Sequence, residues 1–562
     1  MKRILLHCNI LLIAMLAAFT ATAGNEITIT DDGSGTGTTT WTSDNVYILD
    51  GFVFINDGQV LTIEAGTVIK GAPGTGADAS ALIVARGGKI MAEGTESDPI
   101  IFTFQADPLD GSTPYSTKGQ WGGLIILGSA QLNSSPGESQ IEGIPETEPR
   151  GLYGGNDDAD DSGVVTYVSI RHGGTDIGAG NEINGLTLGG VGNGTVIEHI
   201  EIISNADDGI EFFGGTAEVK WACVAFVGDD SFDYDEGWRG KGQFWFTVQD
   251  TPESGEGDRG GEHDGGTDPE DGTPYAHPVI SNVTSMGKGI SEGKRALTFR
   301  DNAGGEYHNS IFFNWGKGID VENLASGEDS YERLLSGELA FMHNCFYDTK
   351  VAGDGASATD LFTISMGSGW ATPQDSTDAL TASSTAFAAL FATNSNEVAN
   401  PGLSYDVVAG SGGANSGLGI VPLYDVSGAV VPSGDFYSSV TYKGAFDPAE
   451  PCDPWIKGWT MIDEYGFVGC YSVGVEEVAT VNTFNVYPNP ASEVVYLQST
   501  MNLTNAVAKV YGINGALVNV VRLGNVAVGQ VAEINAEGLK PGMYTLVVIA
   551  DENSSTSRFI KK

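Results

Sequence analysis

Short apolar runs with alternating polar positions recur along the chain, bounded by Gly, Pro or Asp. Early examples are VLTIEAGTVIKG (60–71), ALIVARGGKIMAEG (81–94), PIIFTF (99–104) and WGGLIILGSAQL (121–132). Alternation puts every second side chain on one face, and the glycine corners allow sharp reversals, so the pattern predicts many short strands. The 79 glycines are spread among these corners rather than gathered in one tract. A helical period is found only near 378–393, where Leu380, Phe387, Leu390 and Phe391 would line one face and cap or flank the strands. The polar stretch 251–275 has almost no apolar content and is expected to be a solvated loop.

The strands repeat. VIEHIEIISNADDGIEFFGG (196–215) lies over VKWACVAFVGDDSFDYDEG (219–237) at an offset of 23 in its first half and 22 thereafter. Ile200 then matches Cys223, Ile203 matches Phe226, Asp207 matches Asp229, and Phe212 matches Tyr234. A weaker third copy runs through NSIFFNWGKGIDVEN (309–323). Repeats of this length without helices between them fit one coil each of a parallel β-helix, with strand stacked on strand about 4.8 Å apart. Ile200, Ile202, Ile210 and Phe212 would form an inward ladder. A β-sandwich gives no reason for successive segments to repeat in the same direction.

At 562 residues the chain exceeds one ordinary compact core, so an elongated repeat or several domains are expected. Residues 1–23 read as a secretory signal: Lys2 and Arg3, an apolar stretch, then Ala21-Thr22-Ala23 as the cleavage site. Without Lys2 and Arg3, 25 basic residues face 73 acidic ones, a formal charge of −48. Such a surface makes nucleic acid and anionic membrane poor partners and favours divalent cations, because crowded carboxylates repel unless neutralised. No segment of the mature chain is long and apolar enough to span a bilayer. Of the four remaining cysteines, Cys452 and Cys470 would close a short disulfide loop, while Cys223 with Cys345 would require stacked neighbouring coils.

The end of the chain carries VYPNPASEVVYL (486–497), KVYGINGALV (509–518), INAEGLKPGMYTLVVI (534–549) and a terminal SRFIKK (557–562). Its strands alternate with turn formers, Asn514-Gly515 among them, which reads as a small immunoglobulin-like β-sandwich. In motif order and position, residues 484–562 resemble the type IX secretion C-terminal sorting domain of Bacteroidota. The resemblance implies Sec-dependent export into the periplasm, recognition by the type IX export machinery, and a secreted or outer-surface destination. Residues 473–483 form an acidic linker before it.

Residues 24–472, through GGKIMAEGTESDPIIFTF, WGGLIILGSA, DDGIEFFGG and GDDSFDYDEGWRGKGQF, resemble bacterial surface proteins with right-handed parallel β-helix, pectin-lyase-like repeats. That resemblance implies an all-β fold and leaves activity open.

Candidate chemistry sits where coils turn. Asp207 and Asp208 should stack near Asp229 and Asp230, and Asp233 and Asp235 share one strand face. Six acids so placed need a cation, or relief from Arg239 and Lys241. In one reading Asp208, Asp233 and Asp235 bind Ca²⁺. A second candidate is the loop DADDSG, where Asp158, Asp160 and Ser162 alternate before Gly163, although Ser169 replaces the usual Glu at position twelve. In another, NADDG and GDD resemble the aspartates of polygalacturonase-type hydrolases, which would make Asp207 and Asp229 or Asp230 the acid and base. That family's Gly-His-Gly turn and Arg-x-Lys pair are missing: His263 lies in GEHDG. A polysaccharide lyase would use a cation and Arg239 as base, although an ion pair of Arg239 with Asp233 or Asp235 is the commoner fate of such a residue. His172 would sit exposed at a coil turn and His199 would be structural. Trp238, Trp245 and Trp315 would stack on sugar rings or fill the core. The expectation is a calcium-stabilised surface that binds carbohydrate or mediates adhesion, with a polysaccharide-cleaving enzyme as the alternative.

Overall fold

The computed structural model describes residues 25–469 and 484–562, apart from 146, 178–182, 267–268, 406, 408–417, 425, 513–516 and 551–552. The signal segment 1–23, Cys470, the linker 473–483 and the Asn514-Gly515 turn lie outside the described residues. Two compact units divide at residues 472 and 473.

The larger unit is a stack of parallel coils. A 17-stranded sheet and a 10-stranded sheet run its length, and among the described residues every pairing between their strands is parallel. In several coils the strand of the larger sheet bends at a residue with positive φ: Tyr167, His199, Trp221, Phe244 and Asn282. Three of these side chains stack along the axis. His199 lies 4.3 Å from Tyr167 and 4.4 Å from Trp221, centroid to centroid. Burial in that column lowers the His199 pKa to about 4, so it packs as a neutral ring, in line with a structural role.

Apolar positions of each coil point inward. Ile200, Ile202, Ile210 and Phe212 are all buried in one continuous core. The register corrects the sequence alignment in one respect: Ile200 pairs with Ala222 and Ile203 with Ala225, so the offset is 22 throughout this coil. Ala222 in turn lies beside Trp245, whose bulk it accommodates. Matching Ile to Cys by apolarity slips the strand by one residue, and such a slip reverses every face. Cys223 therefore pairs with Glu201 on the outer side, and Cys223 and Cys345 are both free thiols rather than partners. Cys452 is disulfide-bonded.

Trp238, Trp245 and Trp315 are fully buried, so none offers a ring to a sugar. Trp238 stacks on Phe212 at 3.9 Å, and its indole N–H donates to the Ala217 carbonyl at 3.2 Å. Trp238→Ala is expected to cost about 3–5 kcal/mol through lost packing and the cavity left behind, read as a lower midpoint in denaturant unfolding.

A second core lies outside the coils. Ile203, Cys223, Phe226, Phe246 and Met286 are covered there by Leu403, Leu418, Phe446, Ile456 and Phe467 of the following segment. The buried Glu201 carboxylate holds this cover, accepting from the Met461 and Ile462 amides at 2.8 and 3.0 Å, at the start of helix Met461–Glu464. Arg171 pairs with Glu464 at 3.0 Å. His172 is buried rather than exposed at a turn, its Nδ1 2.7 Å from the Thr117 carbonyl. The helix expected near 378–393 spans Pro373–Thr393, and Phe387 packs against Phe341 and Phe362 at the last coils. No helix among the described residues is long and apolar enough to cross a membrane.

The smaller unit has a three-stranded and a four-stranded sheet, both antiparallel, enclosing a core that includes Val495, Leu497, Val510, Leu546 and Phe559. This is the immunoglobulin-like arrangement expected from the sequence.

Candidate functional site

The 10-stranded sheet carries the site. Strands Ile210–Phe213, Phe232–Asp235 and Glu262–Asp264 lie side by side in register, with Glu211 opposite Asp233 and Asp233 opposite Glu262. Alternation sends Phe212, Tyr234 and His263 into the core and leaves the three carboxylates in one outer row. Like charges directly opposite each other destabilise a sheet unless something lies between them.

The turns before these strands add a second row. Asp208 stacks on the next coil, its Oδ1 accepting the Asp230 amide at 2.8 Å, and Asp230 accepts the Arg259 amide one coil further. Close approach of these turns depends on Gly228, where a Cβ would lie 1.8 Å from the Ala206 carbonyl oxygen. The result is a cleft of about 490 Å³ lined by Glu142, Asp207, Asp208, Glu211, Asp229, Asp230, Asp233 and Glu262, with Asn184 as the polar neutral member.

Ligand oxygens in this cleft lie within 4.8 Å of one another in overlapping triads: Asp207–Asp208–Asp229, Asp208–Glu211–Asp233, Asp230–Asp233–Glu262, and Asp229–Asp230–Asp258. Arg259 is the cation that engages most of the group, 3.0 Å from Asp230, 3.0 Å from Asp258 and 3.1 Å from Glu262. Lys294 pairs with Asp258 at 2.9 Å, and Arg300 with Asp264 and Glu262. Asn184 donates to Glu211. Asp233 receives no such relief: its Oδ1 is buried without a hydrogen-bond partner. Burial first, then Glu211, Asp264, Asp230 and Glu262, pushes its carboxyl well above the usual range. Burial and the neighbouring aspartates do the same to Asp208, as burial and Glu142 do to Glu211. Burial also raises Asp230, against the pull of Arg259.

The structure thus gathers Asp207, Asp208, Asp229, Asp230 and Asp233 of the sequence-derived candidates. Asp235 lies two residues along the strand and outside the lining of the cleft, its carboxylate accepting the Glu236 amide. Asp158, Asp160 and Ser162 lie elsewhere and are engaged with their surroundings. Asp160 accepts from the Ser129 amide and hydroxyl and from Ser162, and Asp158 accepts from the Gln131 amide. Arg239 binds Asp158 through two contacts of 2.8 and 2.9 Å rather than Asp233 or Asp235, and Lys241 pairs with Glu218. Neither relieves the cleft. His263 faces the core, stacked on Tyr234 at 4.2 Å with Nε2 2.8 Å from the Tyr307 hydroxyl, and burial lowers its pKa to about 3.

Sequence reasoning missed Glu142, Glu211, Glu262, Asp258 and Arg259. Glu211 was within reach, since it stands 22 positions before Asp233 in the repeat already aligned. Glu262, Asp258 and Arg259 sit inside 251–275, which contributes the coil strand Glu262–Asp264 rather than a wholly solvated loop. That strand points a single side chain, a histidine, into the core, so no apolar alternation announces it.

The pectate-lyase-like β-helix domain matches residues 33–392, and the secretion system C-terminal sorting domain matches residues 485–562. The chain belongs to the pectate-lyase-like β-helix family and ends in a type IX sorting domain. That tail implies export, interaction with the export machinery, and a secreted or cell-surface location. Among solved structures, full-length tailspike protein 2 from an Escherichia coli O157:H7 bacteriophage, CAB120, shares 8% identity at a TM-score of 0.18, covering 92% of this chain and 64% of the tailspike. The enzymatically active domain of tailspike protein 2 from bacteriophage CBA120 shares 9% identity at a TM-score of 0.19, covering 92% and 72%. No curated protein matches the chain.

Proposed function

We propose that this is an exported surface β-helix whose acid cleft binds Ca²⁺ and, through the bound cation, an acidic polysaccharide. In this reading the signal segment delivers the chain by the Sec route to the periplasm of a member of the Bacteroidota, and the sorting domain completes its passage. The observation that carries the cation reading is the buried, unpartnered Asp233 oxygen in an in-register row of carboxylates. Hard cations that take six to eight oxygens at 2.3–2.6 Å suit such a row, and Ca²⁺ tolerates irregular geometry better than Mg²⁺. A cleft walled by carboxylates repels a uronate, so an acidic glycan would bind only through cation bridges.

Calcium titrated into metal-free mature protein is expected to give saturable heat by calorimetry and a higher melting temperature, with chelation reversing both. Saturation at 100 times Kd corresponds to roughly 2.7 kcal/mol of added stability for each site. Absence of both signals would sink the cation reading.

The enzyme alternative draws on one observation: Asp208 and Asp230 are held toward the protonated form beside Asp207 and Asp229. Asp207, Asp208 and Asp229 nonetheless each bring an oxygen within 4.8 Å of the others, a crowding that suits a shared cation. A lyase would need a free basic side chain, and Arg259 and Lys294 are both ion-paired. Release of reducing ends or unsaturated sugars from polyuronides, lost in Asp230→Ala, is the result that would favour cleavage over binding.

A further inference from the structure

In the sorting domain one sheet face is built as if something covered it. Strands Leu503–Gly512, Leu517–Val526, Gly542–Ala550 and Asn553–Lys561 form the four-stranded sheet, and their inner positions, among them Ala508, Val510, Leu546, Val548 and Phe559, fill the core. Many of the outer positions are apolar too. Val507 stands opposite Ile549, Lys509 lies between Val520 and Val547, and Met543 stands opposite Ile560. Strands apolar on both faces are the mark of sheets buried on both sides. Here Val520, Met543 and Ile560 are 46–47% exposed.

Charge marks the same sheet. Residues 484–562 hold six Lys or Arg and five Asp or Glu, a net +1, while residues 24–483 carry −49. The four strands contain no Asp or Glu at all, and three cations, Lys509, Arg522 and Arg558, alternate with the apolar residues of the outer face. None of the three has an ion-pair partner among the described residues.

We propose that this outer face is the surface by which the sorting domain docks onto a protein of the export machinery, one that presents an apolar patch set with carboxylates. The inference rests on the export reading and adds the face and the chemistry of its partner. A protein fits better than a lipid surface: membrane-binding patches gather four to eight cations around protruding aromatic or long apolar side chains, whereas this face is rich in valine and carries three.

The test uses the full chain in a cell that exports it, comparing surface and medium with periplasm. Val520→Glu with Ile560→Glu is expected to lower the exported amount at least tenfold, with folded protein accumulating in the periplasm. Lys509→Glu with Arg558→Glu should do the same, and it decides the matter if the first pair misfolds. Tyr496→Glu with Val531→Glu, exposed on the other sheet, should leave export at the wild-type level. Wild-type export of both face variants, or an equal loss from the other sheet, overturns the proposal. Vesicles of lipopolysaccharide that bind the wild type, lose the face variants and leave export unchanged would also overturn it, in favour of lipid. Removing residues 484–562 separates the two readings: if that chain still reaches the surface, the export route itself fails.

Discussion

Replacing Asp208 and Asp233 together by asparagine is expected to raise the melting temperature of the calcium-free protein and to erase the rise that calcium produces in the wild type. Both carboxylates are hemmed in by others: Asp208 by Asp230, Asp233, Asp207 and Asp229, and Asp233 by Glu211, Asp264, Asp230 and Glu262. Two like charges about 5 Å apart repel by roughly 3 kcal/mol at an effective dielectric near 20, and partial protonation reduces this. Removing two members of the group should therefore shift the metal-free melt upward by a few degrees, on the order expected for a gain of a few kcal/mol in a large domain. The substitutions keep shape, and the amide oxygen that Asp208→Asn introduces can still accept the Asp230 backbone N–H that the Asp208 carboxylate now holds. The same change deletes a ligand from three of the four cleft triads, so calcium should no longer stabilise. A metal-free variant that melts below the wild type would show that these carboxylates support the fold through hydrogen bonds instead. A variant that keeps the full calcium response would place the ion elsewhere.

The sequence made the coil architecture legible because inward positions are apolar and recur at spacings of 22 and 23 residues over the adjacent coils that begin at Val196, Glu218 and Lys241. The spacing carried Asp207 onto Asp229 and Phe212 onto Tyr234. It failed where volume is exchanged between coils, since an inward Ala222 beside an inward Trp245 leaves no apolar match to follow. The site was legible in its turns, where DDG and GDD stand out, and not in its strands. Glu211 and Glu262 look like ordinary outward residues until registry places them on either side of Asp233. The roles of Arg239 and Arg259 were inverted for a related reason: nearness in sequence pointed to Arg239, whereas the coil geometry turns it to Asp158 and brings Arg259 to Asp230. A repeat thus reveals its own period well, while contacts made by interposed segments have no periodic trace.

The pH dependence of calcium stabilisation follows from the same cleft. Asp208, Glu211, Asp230 and Asp233 all have folded-state pKa values raised above the unfolded ones, from about 3.8 for Asp and 4.5 for Glu. The stability they contribute is fully present below those unfolded values and is lost as pH rises through the raised ones. Metal-free protein is therefore expected to lose stability from this cleft as pH rises above about 4.5. The buried histidines act in the opposite sense: His199 and His263 have pKa values lowered to about 4 and about 3, so acid destabilises them. For that reason the informative quantity is the difference between melts with and without calcium, in which the histidines cancel. Calcium needs the carboxylates ionised, so each proton it displaces raises its apparent affinity about tenfold per pH unit until the group has titrated. The calcium-induced rise in melting temperature should be small near pH 5 and larger at about pH 8, and binding in weakly buffered solution should release protons. A calcium increment that does not change between those pH values would mean that the ion meets carboxylates already ionised, and the raised-pKa row of Glu211, Asp233 and their neighbours would not be its site.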